Sequence, residues 1–148
     1  MPEPKMYFDT LYEMRECANE WMKRLCLNDW IIRADFASTS EMKLEGTAGE
    51  CEPDFVNRWA TIRILRKEDL KDPSVYIARQ PMELVLIHEL LHCRFMQFED
   101  EERSIEMMTY STAAHQLLND VARALYMAKY GLNMEWFEPK GESNEGNA

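Results

Sequence analysis

The sequence predicts an α+β fold, and three observations predict it. Apolar residues recur at helical spacing near the N-terminus, two short segments rich in branched and aromatic residues follow, and two long helical patterns complete the chain. Strands and helices come in separate runs and do not alternate, which favours α+β over βαβ units. We therefore expect an N-terminal helix, a small twisted antiparallel sheet and two long C-terminal helices.

The first helix is predicted from the residues that follow Asp9. Asp9 or Thr10 can cap it, because a short polar side chain accepts a hydrogen bond from a free main-chain N–H of the first turn. Its apolar stripe at helical spacing consists of Leu11, Met14, Ala18, Trp21, Met22 and Leu25. We expect the helix to reach about Leu27, where Asn28 and Asp29 break the pattern.

Two segments predict the strands of the sheet. Residues 30–36 alternate and are rich in bulky and branched side chains, and residues 58–65 carry the strongest strand pattern in the chain. Between them, residues 38–52 are polar and contain Gly46 and Gly49. This composition predicts a turn or a weak hairpin.

The C-terminal half predicts two helices and a tail. Pro81 lies in the first turn of the earlier helix, where proline is tolerated. Four acids at residues 99–102 are favoured in a first turn by the helix dipole, and the later helix should run to about Tyr130 and stop at Gly131. Small polar residues at 138–148 predict a disordered tail, which leaves residues 1–137 as a single domain.

Composition limits the classes of function. The chain has 148 residues, 17 Lys+Arg against 27 Asp+Glu and a formal net charge of −10, so no nucleic-acid partner is expected. No apolar stretch is long enough for a membrane span and the N-terminus lacks a signal-peptide layout, so we expect a cytoplasmic protein without a membrane partner. The four cysteines form no C-x-x-C pair, which predicts free thiols. The oligomeric state stays open.

The most informative motif is the pentad His88-Glu89-Leu90-Leu91-His92, an H-E-x-x-H sequence in a chain with three histidines. Residues four apart on a helix are separated by about 40° around its axis, so His88 and His92 can present nitrogens to one metal ion. Glu89 lies roughly 100° from His88, where its carboxylate reaches a metal-bound water without ligating the metal. This pattern is typical of zinc hydrolases, with Glu89 as the general base.

The surroundings of the pentad favour a Zn²⁺ site over a chance match. Between Glu83 and Arg94 the only polar residues are the two histidines and the glutamate of the pentad, and a helix that is apolar on nearly every side is buried. Burying those three side chains lowers the stability of the fold unless each polar atom has a hydrogen-bond partner or a metal ion to bind. A metal with its bound water would provide these partners, and an internal hydrogen-bond network is the alternative.

A third protein ligand is expected on the last helix, because catalytic zinc usually takes three protein ligands and leaves the fourth position to water. His115 is the first candidate, since it shares the inward stripe of that helix with Met108, Leu118, Ala122 and Leu125. Glu101 lies about 40° from the His115 direction and Glu106 about 180° from it, and both are alternatives. A site with no third protein ligand is also open.

A strand followed by the pentad helix and a ligand-bearing helix resembles a compact zincin metallopeptidase, similar to the small gluzincin-like and SprT-like domains of phage and prophage genes. The resemblance spans about residues 30–130, and the pentad is its specific part. It implies that His88 and His92 bind zinc, that Glu89 is the base, and that residues 58–65 form the edge strand that pairs with an extended peptide. Residues 93–98 lack the Gly and His of metzincins, which excludes that class. Gluzincins use a Glu as the third ligand, which would be Glu101 or Glu106.

The predicted function is therefore that of a zinc-dependent peptidase with a protein or peptide substrate. An alternative is a binding or regulatory protein that keeps the zincin scaffold with little turnover, because so small a chain has no second lobe to form a deep cleft. A third interpretation is that the pentad is incidental in an α+β interaction domain.

Overall fold

The protein is an α+β domain, as the sequence predicts. The computed structural model describes residues 2–44, 46–70, 80–95 and 105–138. The elements in chain order are α1 (Leu11–Arg24), β1 (Ile31–Ala37), β2 (Gly49–Asp54), β3 (Trp59–Leu65), α2 (Lys67–Leu70), α3 (Met82–Phe95), α4 (Ile105–Tyr130) and a 3-10 turn (Met134–Phe137). The acidic segment at 99–102 and nearly all of the predicted tail at 138–148 lie outside the described residues.

The sheet is mixed, so the prediction of antiparallel pairing between its two predicted strands is wrong. β1 pairs with β3 in parallel, with Ile31 opposite Trp59 and Ala37 opposite Leu65. The reason is β2, which lies partly in the segment predicted as a turn and pairs antiparallel to β3. The chain reverses direction once before β2 and once after it, and these two reversals return β3 to the direction of β1.

The edge strands are β1 and β2, because the strand order is β1-β3-β2. The prediction that residues 58–65 form the edge strand is therefore wrong, since β3 is paired on both sides. Pro53 within β2 agrees with an edge position, because proline has no N–H to donate to a second neighbour. A Cβ at Gly49 would lie 2.6 Å from Val85 Cγ1 and 3.1 Å from Glu89 Cγ, so the glycine lets β2 pack closely beside the pentad.

Helix α1 begins where the sequence predicts and ends slightly earlier. Thr10 caps it, and its side chain accepts a hydrogen bond from Glu13 N. The helix ends at Arg24 because Cys26 adopts a left-handed backbone conformation with φ of 57°. The turn that follows directs Leu27 into the core, where it is fully buried.

Helix α3 lies at the centre of the fold. Eleven of its 14 residues are buried, which agrees with the prediction of a helix that is apolar on nearly every side. It packs against α1, α4 and one face of the sheet, to which β3 contributes Ala60, Ile62 and Ile64. Within residues 2–44, 46–70, 80–95 and 105–138, no helix combines the length and apolar character that a membrane span requires.

A buried carboxylate joins the three long helices at the N-terminal end of α3. Glu83 accepts hydrogen bonds from Trp21 Nε1 of α1 at 2.7 Å, from Lys129 Nζ of α4 at 2.5 Å, and from the Tyr130 hydroxyl. Burial alone would raise the pKa of Glu83, but these three donors outweigh it and hold the pKa below the usual value. These contacts hold the C-terminal end of α4 against α3. They therefore also help to position the residues of α4 that precede Lys129 by up to four turns.

Candidate metal centre

The two pentad histidines face one another on consecutive turns of α3. Their Nε2 atoms are 3.2 Å apart, and their rings meet edge to face with centroids 4.9 Å apart. His92 is buried and His88 half-buried. Their helical spacing places both rings on one side of α3, the side that faces α4, as the sequence predicts.

Helix α4 brings the third histidine to this pair. His115 shares a stripe with Leu118, Ala122 and Tyr126, and those three side chains are buried. Its ring centroid lies 5.8 Å from that of His88 and 5.0 Å from that of His92. One nitrogen from each of the three rings lies within 4.8 Å of the other two. The structure thus brings together the three histidines that the sequence analysis selected.

The structure does not describe the side chains of the two acidic residues that are alternatives for the third ligand. Glu101 lies outside the described residues. Glu106 lies in α4, but its side chain is outside what the structure describes. Within the described part of the chain, the group of side chains that could hold a metal consists of the three histidines.

The protonation states of the α3 histidines suit metal ligation. Burial, followed by the proximity of His115, lowers the pKa of His88 to about 4. Burial, followed by the proximity of His88 and His115, lowers the pKa of His92 to about 3. Both rings are therefore neutral at pH 7 and carry a lone pair, which is the form that binds a metal ion.

Glu89 lies at the edge of the histidine cluster. Its Oε2 atom is 3.9 Å from Nε2 of His92, and the residue is 6% exposed. Burial, followed by the charge of Glu50, raises the pKa of Glu89 to about 8. A carboxylate whose pKa lies near neutrality is suited to accept and return a proton in that pH range.

Asn119 is a site residue that the sequence analysis missed. Its side chain hydrogen-bonds with the His88 ring from α4, one turn after His115. Such a bond fixes the orientation and tautomer of a ligating histidine. The four-residue spacing from His115 was the available signal, because it places Asn119 on the same side of α4. His92 differs, since its buried Nδ1 has no hydrogen-bond partner among the described residues.

Cys93, which follows the pentad directly, is separate from the histidine cluster. It is fully buried and hydrogen-bonds with Cys51 of β2, on the side of α3 that packs against the sheet. Cys93 therefore packs as a small residue of the core. All four cysteines are free thiols, as the sequence predicts.

The pair of histidines on α3 has the spacing of two zinc ligands. Two ligands at 2.0–2.1 Å from a tetrahedral ion are about 3.3 Å apart, and the Nε2 atoms of His88 and His92 are 3.2 Å apart. Three imidazoles with a fourth position left to water are a ligand set of known catalytic zinc sites. A hydrogen bond between the two rings also fits that distance, but it accounts for one pair and leaves the convergence of all three rings unexplained.

The chain matches none of the protein families, curated proteins or solved structures with which it was compared. The resemblance to zincins therefore depends on the pentad and on the geometry of the three histidines.

Proposed function

We propose that the protein is a zinc-dependent peptidase in which His88, His92 and His115 bind the metal and Glu89 is the general base. The observation that carries the proposal is the convergence of three ring nitrogens within 4.8 Å, from two helices, beside a buried carboxylate. His115 in place of a glutamate makes the ligand set differ from that of gluzincins.

Each residue has a separate task in the proposed reaction. The rings of His88, His92 and His115 would hold the ion, which when bound would supply a water of lowered pKa and polarise a peptide carbonyl. Glu89 accepts a proton from the attacking water and returns it to the leaving amine. Burial raises the pKa of Glu89, and this favours the protonated carboxyl that the return step uses.

The position of β2 supports an extended peptide as the substrate. β2 is an edge strand, and Gly49 at its start packs against Glu89. An extended chain that adds to a sheet edge forms main-chain hydrogen bonds with that edge. A peptide paired with β2 would therefore run beside Glu89, in the role that the resemblance had assigned to residues 58–65.

The test is the substitution Glu89→Gln, assayed on an unfolded protein such as reduced casein. We expect the variant to bind zinc as the natural chain does and to lose hydrolysis, because an amide cannot accept the proton of water. Loss of zinc together with activity would make Glu89 a ligand and contradict its role as base. If the natural chain binds zinc but does not cleave casein or any other unfolded protein, the alternative of a zincin scaffold used for binding replaces the peptidase proposal.

A further inference from the structure

A groove lies at the edge of the sheet opposite to β2. It has a volume of about 460 Å³ and is bounded on one side by α1, with Ala18, Asn19 and Met22, and on the other by β1, with Ile32. Ala18 is buried, and Met22 and Ile32 are half-buried, so these three side chains form an apolar patch in a groove that polar side chains also line. Among the described residues, β1 pairs with β3 alone, so this groove runs along the edge of β1 that these residues leave free.

The main chain of β1 offers hydrogen bonds to this groove. Ile31 N donates to Arg58 O and Arg66 N donates to Ala37 O, both at 2.9 Å, so the odd-numbered residues of β1 direct their main-chain groups towards β3. Successive residues of a strand direct these groups to opposite sides. The N–H and C=O of Ile32, Ala34 and Phe36 therefore point to the free edge.

The groove ends at two arginines. Arg15 Nε donates to the Ala34 carbonyl at 3.1 Å, and Arg15 Nη2 lies 2.6 Å from Asp35 Oδ1. Arg33 Nε lies 2.8 Å from Asp35 Oδ2, and the Arg33 side chain is 76% exposed. Among the described residues these two guanidinium groups pair with one carboxylate, which leaves a surplus positive charge at this end of the groove.

We infer that this groove binds the C-terminal end of an extended peptide, which pairs with the main chain of Ile32 and places its terminal carboxylate against Arg15 and Arg33. The surplus positive charge and the unused guanidinium N–H donors suit a carboxylate. A chain terminus fits better than an internal segment, because Arg15 occupies the Ala34 carbonyl and a continuing strand would have to displace it. The apolar patch of Ala18, Met22 and Ile32 takes one aliphatic side chain of the peptide.

A second copy of this chain does not fit the groove. Its β1 strand would carry its own α1 into the space beside the free edge, and side chains of α1 already line that space. A single peptide strand brings no helix with it. The groove is on the opposite edge of the sheet from Gly49 and Glu89, so the inference does not depend on the proposed metal centre.

The test uses two pools of hexapeptides randomised at every position, one with a free C-terminal carboxylate and one with a C-terminal amide. Each pool is passed over the immobilised full chain, and retained peptides are quantified by mass spectrometry. We expect the carboxylate pool to be retained about tenfold more than the amide pool, because the amide removes a charge-assisted hydrogen bond.

Arg33→Gln should reduce retention of the carboxylate pool to that of the amide pool. Arg24→Gln is the matched control, because Arg24 is an arginine of α1 that is 51% exposed and pairs with Glu20 away from the groove. Ile32→Pro removes an N–H that points to the free edge, and it should reduce retention of both pools while circular dichroism shows an intact fold.

Three results would overturn the inference: equal retention of the two pools, no retention of either pool, or unchanged retention by Arg33→Gln. A change in sedimentation coefficient with Arg33→Gln, without a change in peptide retention, would make this edge a contact between copies of the chain and would also overturn it. Because Arg33 is largely exposed, its substitution tests the site even if Ile32→Pro does not fold.

Discussion

Replacing His115 with alanine removes the one predicted ligand that joins α4 to α3. At free zinc of 100 times Kd, a site that exists only in the folded protein adds about 2.7 kcal/mol to the free energy of unfolding. For a domain of this size, that raises Tm by roughly 5–11 °C, at about 2–4 °C per kcal/mol. The metal would cross-link two helices that are otherwise held together by packing and by Glu83.

The number of ligands determines how much zinc affinity His115→Ala should lose. Removing even a residue that only hydrogen-bonds to a ligand lowers metal affinity about 10–100-fold, so removing a ligand should cost at least tenfold. The same zinc concentration is then about 10 times Kd or less, and the stabilisation by zinc falls to about 1.4 kcal/mol or less. The zinc-dependent rise in Tm should therefore fall to half or less.

The assay is thermal unfolding, followed by circular dichroism, with and without zinc. Gln116→Ala is the matched control, since Gln116 is exposed on α4 beside His115 and should leave the zinc-dependent rise in Tm unchanged. Glu101→Ala and Glu106→Ala should also leave it unchanged. If His115→Ala keeps the full rise in Tm and one of these two acidic variants loses it, the third ligand is a glutamate and our reasoning is refuted.

Three further substitutions test the surroundings of the site. Asn119→Ala should lower zinc affinity roughly 10–100-fold in a competition titration with a chelator, because His88 loses a hydrogen bond that orients it. Gly49→Ala should lower the free energy of unfolding in urea by about 1–3 kcal/mol, because the new methyl group meets Val85 Cγ1 at 2.6 Å. Glu83→Gln should lower it by about 3 kcal/mol at pH 7, the low end for a broken buried ion pair, since Glu20 still pairs with Lys129. Because the folded-state pKa of Glu83 is lowered, its contribution is complete above the usual glutamate pKa of about 4.3, and the difference between Glu83→Gln and the natural chain should shrink as the pH falls below that value.

The candidate site was more predictable from sequence than the sheet was. The pentad fixes the relative positions of His88 and His92 through helix geometry alone, and the apolar stripe of α4 indicates which way His115 faces. Asn119 was missed because an isolated asparagine on a helix has many ordinary roles. Its contact with His88 follows from how α3 and α4 pack, which no local pattern records.

The sheet topology could not be predicted because the composition of β2 is not typical of a strand. β2 consists of Gly-Glu-Cys-Glu-Pro-Asp, and glycine, proline and acidic residues are depleted in strands. Its formation is explained by tertiary contacts: Glu50 accepts hydrogen bonds from Lys43 N, Leu44 N and Arg63 Nη1, and Gly49 packs against α3. Without β2, the sequence predicts that β1 and β3 are consecutive antiparallel strands. Because β2 lies between them in the chain and is antiparallel to β3, β1 and β3 are parallel.

The metal content of the protein tests the central claim most directly. The chain should be purified without a histidine tag and without chelator, and its zinc measured by elemental analysis against protein concentration. We predict one zinc per chain in the natural protein and a loss of that zinc when His88 and His92 are both replaced with alanine. An absence of zinc in the natural protein, or one zinc per chain retained in the double variant, would contradict the account.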